Sequence, residues 1–194
     1  MSLFDTFDPD SEEIVKFEYQ RSFHPTEDFP ETVIMTFKEE TFQALEHVCP
    51  TEVIATLREG RDIPVYQLNW NGRSVGIFQT LIGGAGTAGL LEETLAMGAK
   101  KVLLYGACGV LDSALAAGHF ILPTQAYRDE GTSYHYMPVG DYVDIPTAER
   151  LGEIFDQLRL PYVKGRVWTT DAFYRETRNN MEKRKADGCI AVDM

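Results

Sequence analysis

Along residues 77–111 the spacing of apolar and polar positions changes period twice, and three regular elements follow from those changes. Ile77, Phe78, Leu81 and Ile82 form a short apolar run of the kind a buried strand leaves. Gly83-Gly84-Ala85-Gly86 then clears bulky side chains from the point where helical spacing begins. Leu90, Leu91, Thr94, Leu95 and Met97 fall on the inward side of this predicted helix, with Glu92 and Glu93 facing water. Thr87 is placed to cap its start and Gly98 to stop it. Val102–Tyr105 reads as a buried parallel strand ending in Gly106-Ala107-Cys108-Gly109. The stretch is one βαβ unit, and its two side-chain-poor turns share the carboxyl edge of a sheet, where open α/β folds bind ligands.

The remaining pattern is assembled around that unit. Residues 1–13 are acidic and aperiodic and read as a loose arm, which leaves 14–194 as a single domain. Phe17–Pro30 is aromatic and punctuated by Pro25 and Pro30, an irregular segment expected to lie on something else. Thr32–Thr36 is a first core strand, and Phe37–Val48 a helix with Phe42, Leu45 and Val48 inward. Val53–Leu57 begins another short helix, and Ile63–Leu68 with Arg73–Gln79 makes a hairpin around Asn71-Gly72. His119–Leu122 is a strand closed by Pro123. Tyr127–Pro138 (YRDEGTSYHYMP) crowds charged and aromatic residues with no hydrophobic period. Pro146–Leu158 is an amphipathic helix with Ala148, Leu151, Ile154, Phe155 and Leu158 on its apolar side. Val163–Thr169 is a strand, Asn179–Lys185 a charged helix and Cys189–Val192 a last short strand.

Composition narrows the function classes. A net charge of -12 argues against nucleic acid, whose phosphates need a basic footprint. The chain has no apolar run of membrane length, which predicts a soluble protein, cytoplasmic and without a membrane partner. Cys49, Cys108 and Cys189 are odd in number and lack metal spacing, so reduced thiols are expected, with no metal site and no organic cofactor. A small-molecule ligand fits best.

The segments IGGAGTAG, YGACG, ILPT, RDEGTSYHY, TTDAFY and VDM together resemble the nucleoside phosphorylase family, which includes uridine phosphorylases, hexameric purine nucleoside phosphorylases and methylthioadenosine nucleosidases. The resemblance runs from Val33 onward and implies an α/β fold, a three-layer sandwich around a mixed sheet. It implies a homo-oligomer, a dimer or trimer of dimers, acting on a nucleoside. The reaction would cleave an N-glycosidic bond, which requires a placed nucleophile, a held sugar and a stabilised leaving base. Carried over by motif, Gly83 and Gly84 would line the nucleophile and ribose side, and Ala107, Cys108 and Gly109 the second turn of the site. Phe173 would stack on the base, and Asp193 and Met194 would meet the sugar. Arg128, His135 and Asp171 are further candidates for contact with substrate. The family pattern at VDM continues into a ribose-binding glutamate and a long helix, so the chain is expected to be either a fragment of a longer product or a C-terminally truncated relative.

Two departures keep the nucleophile open. The family's phosphorylases hold phosphate with a Gly-Asp-Pro-x-Arg turn and with an arginine and a hydroxyl beside the second-strand glycine. The matching stretches here read Phe37-Lys38-Glu39-Glu40-Thr41 and Leu104-Tyr105-Gly106-Ala107. Losing two charged hydrogen bonds would weaken inorganic phosphate, the expected co-substrate, by roughly 10²- to 10⁴-fold. Three readings follow: a uridine-phosphorylase-like transferase, a nucleosidase with Glu40 holding the attacking water, and a silent nucleoside-binding relative. Several residues also have plainer explanations: Asp171 as a turn former, His135 as a satisfied partner among tyrosines, Cys108 as core filler and Glu40 as a cap for the first helix.

Overall fold

A computed structural model describes residues 2–15, 28–46, 51–58, 60–115 and 117–194. Cys49, His24 and most of the aromatic segment from Phe17 lie outside the described residues. The chain divides into two compact units, Asp10–Ala107 and Met1–Pro9 with Cys108–Met194.

The unit Asp10–Ala107 is built on a five-stranded sheet of β1 (Thr32–Thr36), β2 (Thr51–Arg58), β3 (Asp62–Trp70), β4 (Arg73–Gln79) and β5 (Lys101–Tyr105), in the order β2-β3-β4-β1-β5. β4 and β5 both run parallel to β1, which separates them. Helix α1 (Glu39–Glu46) follows β1, and α2 (Gly84–Ala96) crosses from β4 to β5. Asn71 and Gly72 both take positive φ, 50° and 74°, as the tight β3–β4 hairpin requires. Val33, Met35, Val65, Phe78 and Leu90 are fully buried in the core, while Phe42 and Leu45 of α1 pack on Leu68 and Ile77.

Five expectations change in this unit, the first being that β4 stops at Gln79 and leaves Leu81 and the exposed Ile82 beyond the strand. Val53–Leu57 lies in strand β2, paired antiparallel with β3 and carrying a register shift between Val53 and Ala55, where a short helix was expected. A short apolar run reads equally as either element, and pairing with β3 decides. The α2 cap is Gly83, not Thr87, whose hydroxyl donates instead to the Leu81 carbonyl at 2.9 Å. Along α2, Glu93 is buried and Leu95 exposed, the reverse of the expected faces. β5 is parallel as expected but is an edge strand, and Leu103, Leu104 and Tyr105 stay exposed.

The second unit carries β6 (Gly109–Val110), β7 (Phe120–Asp129), β8 (Tyr142–Asp144), β9 (Tyr162–Thr170) and β10 (Cys189–Asp193), ordered β6-β10-β9-β7-β8. β9 runs parallel to β7 and β10, while β6 and β8 are antiparallel edges. Helix α3 (Thr147–Leu158) sets Phe155 edge-on between Phe120 and Tyr162, with ring centroids 5.0 and 5.8 Å apart. Helix α4 (Arg178–Ala186) brings Met181 onto Trp168, Cys189 and Val192. Ile154 and Leu158 of α3 are exposed, so only part of the expected apolar stripe is covered.

Pro123 does not close its strand. β7 runs on to Asp129, and a register shift between Pro123 and Gln125 absorbs the missing N–H. The arm supplies a single 3-10 turn, Leu3–Asp5, closed by a Ser2/Asp5 capping box, with Phe4 edge-on to Tyr134 at 5.1 Å. Both units mix sheet with covering helices, so the α/β reading holds. No described helix is long and apolar enough to cross a membrane.

Candidate active site

In the unit Asp10–Ala107, parallel β4, β1 and β5 bring their carboxyl ends to one edge. The Thr80 N–H donates to the Thr36 carbonyl at 2.9 Å and the Phe37 N–H to the Tyr105 carbonyl at 3.3 Å. Gln79 Nε2 donates to the Phe37 carbonyl at 3.3 Å, so the three strand ends are knitted together. Gly83 and Gly84 then open α2. Gly83 sits at φ 101°, where side chains are rarely tolerated, and a Cβ built there meets nothing within 4 Å.

The other turn at this edge is not open. A Cβ on Gly106 would lie 2.7 Å from Phe37 Cδ2, because the phenyl ring fills the space beside the glycine. Lys38, Glu39 and Glu40 follow that ring and are exposed, with both glutamates in the first turn of α1 near its positive end. Thr36 Oγ1 is spent on Thr41 Oγ1 at 3.4 Å, and the buried Thr80 hydroxyl has no hydrogen-bond partner among the described residues. Thr80 carried no sequence signal beyond its place after a strand, and Phe37 was marked only as the first residue of the stretch that matches the family's phosphate turn.

In the second unit, Cys108, Gly109 and Asp193 come together because β6 pairs antiparallel with β10, Gly109 opposite Val192. Burial pushes the Asp193 carboxyl up, against a lowering hydrogen bond with Thr169. Its Oδ1 has no partner among the described residues. Cys108 is exposed, not core filler, because it lies in the turn before the edge strand β6; partial burial of its thiol still raises it, and the Asp193 charge adds to that, so a reactive thiolate is disfavoured. Met194 is half-buried beside them.

Phe173 stands on a 3-10 turn, Phe173–Arg175, 56% exposed, with the 93% exposed Tyr174 edge-on at 5.1 Å. Two aromatic faces at the end of β9 therefore reach water, which is costly unless something covers them. Asp171 precedes them, and its Oδ2 accepts the Gly131 N–H at 3.3 Å. Tyr174 and Asp129 were not among the expected site residues; the adjacent Phe-Tyr pair was the available signal for the first.

Arg128 is turned inward, 6% exposed. Its Nε donates to Ser133 Oγ at 2.7 Å, and its terminal nitrogens donate to the carbonyls of Pro138 at 2.6 Å, Gly140 at 3.4 Å and Met137 at 3.5 Å. The guanidinium also lies 4.0 Å from the centre of the Tyr134 ring. Glu130 closes the loop by accepting from the Ser133 hydroxyl and N–H. The expected substrate arginine thus holds its own loop. His135 ends the 3-10 turn Thr132–His135 and is exposed.

Residues 31–194 match the family described as the phosphorylase superfamily. The chain belongs to that superfamily. Among curated members it is 27% identical over 140 residues to the guanosine phosphorylase of Halorubrum lacusprofundi, covering 70% of this chain and 57% of that protein. It is 31% identical over 117 residues to the uridine phosphorylase of Thermococcus kodakarensis, covering 59% and 42% respectively. This superfamily chain therefore spans about half the length of the curated relatives it matches. Among solved structures, the uridine phosphorylase of Vibrio fischeri ES114 aligns with a TM-score of 0.74 at 22% identity, covering 86% of this chain and 70% of that one. The purine nucleoside phosphorylase of Toxoplasma gondii, in complex with immucillin-H, aligns at 0.73 and 22%, covering 87% and 68%. Both share the superfamily fold.

Proposed function

We propose that the chain acts in cleavage of the N-glycosidic bond of a nucleoside, as a uridine-phosphorylase-like pentosyltransferase in nucleoside catabolism or salvage. Membership of the phosphorylase superfamily across residues 31–194 carries this reading. The names of the relatives, which are uridine and guanosine phosphorylases, give the reaction class. The exposed Phe173 ring, on a turn fastened at both ends, is suited to stack on a departing base. The open side of Gly83, at the amino end of α2 with no side chain capping it, is suited to a nucleophile and sugar. Asp193 and Met194 would meet the sugar, with Cys108 and Gly109 beside them. Inorganic phosphate is the co-substrate in this reading, and no organic cofactor or metal is needed. The protein would work in the cytoplasm as a homo-oligomer.

One observation favours a hydrolytic variant. The Phe37 ring beside Gly106 leaves an apolar surface where the resemblance places phosphate ligands, and the residues after it, Lys38, Glu39 and Glu40, are net acidic. Such a corner receives a neutral water more easily than a phosphate dianion. Glu40 would then hold the water.

Incubating the protein with uridine and guanosine, with and without phosphate, separates the readings. Ribose 1-phosphate formed only when phosphate is present supports the transferase. Free ribose at an unchanged rate without phosphate supports hydrolysis. Binding without turnover leaves a silent relative, and neither binding nor turnover rejects the nucleoside assignment.

A further inference from the structure

We infer that Asp171, acting with Asp129, is a positioning residue: the two join the loops after β7 and β9 by a reciprocal strap that sets where the Phe173 ring stands. The functional half of this statement rests on the stacking role proposed for Phe173; the strap itself does not.

The parallel ladder of β7 and β9 ends at the pair Asp129 and Thr170. Beyond it two loops with no shared sheet would be free to part. Instead the Asp171 N–H donates to the Asp129 carbonyl at 3.2 Å, adding one more rung. Asp171 Oδ2 accepts the Gly131 N–H at 3.3 Å, so the side chain of one loop holds the backbone of the other. Asp129 is itself anchored, since its Oδ2 accepts from Trp168 Nε1 at 2.9 Å and Trp168 is a fully buried core residue. The strap therefore runs from the core, through Asp129, to the turn that carries the aromatic pair.

The turn is fastened on both sides of that pair. The Ala172 N–H donates to the buried Thr170 hydroxyl at 3.2 Å, and the Arg175 N–H donates to the Ala172 carbonyl at 2.7 Å. Thr177 then caps α4, accepting the Asn180 N–H on its hydroxyl at 3.4 Å. Ala172, Phe173, Tyr174 and Arg175 are all exposed, so no core packing fixes them and their backbone bonds must. Asp171 is the residue that couples this turn to the neighbouring loop. A stacking ring that drifts by a fraction of its own width loses the offset geometry that makes stacking favourable.

The test uses the 194-residue chain with Asp171→Ala, Asp171→Asn and Phe173→Ala, read by amide hydrogen exchange and by titration with uridine. Asp171→Ala is expected to speed exchange at Gly131 and Ala172 while the amides of the β7–β9 ladder keep their protection. It should also weaken uridine by roughly tenfold, about as much as Phe173→Ala, with the double variant no worse than either alone. Asp171→Asn, which keeps an acceptor oxygen, should restore most of both. Unchanged exchange at Gly131 and Ala172, or additive losses in the double variant, would overturn the inference. Should the unaltered chain bind no uridine, the nucleoside reading falls on that result, and the exchange measurement alone then decides the strap: local acceleration supports it and its absence refutes it.

Discussion

The edge where β4, β1 and β5 end and the edge where β7 and β9 end finish parallel strands by different means. At the first, backbone hydrogen bonds and an aromatic ring close the strand ends, and the charged residues Lys38, Glu39 and Glu40 stay in water. At the second, charged side chains are drawn in: Arg128 into three carbonyls, Glu130 onto Ser133, Asp129 onto Trp168 and Asp171 onto Gly131. The lesson is that a loop rich in ionisable residues need not offer them to a ligand. Its own backbone can consume them, whereas a glycine turn is only as open as the nearest side chain leaves it.

The comparison breaks hardest at Arg128. Arg128→Ala removes the donor to the carbonyls of Met137, Pro138 and Gly140 and leaves Tyr134 without its cation partner. The expected cost is about 2–4 kcal/mol of stability, tempered by the water that can reach an exposed loop. Thermal unfolding should shift down by roughly 5–10 °C. If Arg128 were instead a free phosphate ligand, the same change would leave the melting temperature nearly unmoved and raise the apparent phosphate constant.

A smaller effect separates the two glycine turns of the first edge. Gly106→Ala places a methyl 2.7 Å from the Phe37 ring, so the ring must shift, at a cost of about 1–3 kcal/mol. The penalty should shrink when Phe37→Ala is made first, since the two changes share one space. Gly83→Ala meets no atom, and its cost comes only from the backbone, whose φ of 101° and ψ of 150° are nearly reserved for glycine, about 1–3 kcal/mol and insensitive to Phe37. Denaturant unfolding of the three single variants and of the two double variants with Phe37→Ala reads out the contrast. Equal sensitivity of both glycines to Phe37→Ala would contradict it.

How much of this could be read from residues alone depends on whether a feature is local. The β4–α2–β5 order, the Asn71-Gly72 hairpin, the Gly98 stop and the three last elements rest on period and turn chemistry, and they were legible. What depends on neighbours was not. Strand β2 required β3 beside it, and the exposure of β5 follows from its place at the sheet edge. Pro123 could sit inside β7 because the register shifts next to it, which no local rule supplies. The site divided in the same way. Gly83, Gly84 and Phe173 stood out as motif positions, and the structure shows only their setting, at the opening of α2 and on an exposed turn, while the inward turn of Arg128 and the ring beside Gly106 are long-range packing outcomes.

The smallest expected effect is a pH dependence that marks the end of β10. Burial raises the Asp193 carboxyl in the folded chain, so between the ordinary aspartate pKa and the raised one the folded state binds more protons than the unfolded state. Stability therefore falls as pH rises through that window. The cost of the buried charge is absent below the unfolded pKa and complete above the folded one. The Thr169 hydrogen bond offsets part of it, and Cys108 senses the same charge. In Asp193→Asn no carboxylate can form there, so the stability profile should lose this slope on the alkaline side of the aspartate range. Relative to the parent, the variant should gain as pH rises. Denaturation midpoints measured from acid to neutral pH decide it, and parallel profiles for the two proteins would show that the carboxyl ionises freely and that its burial carries no such cost.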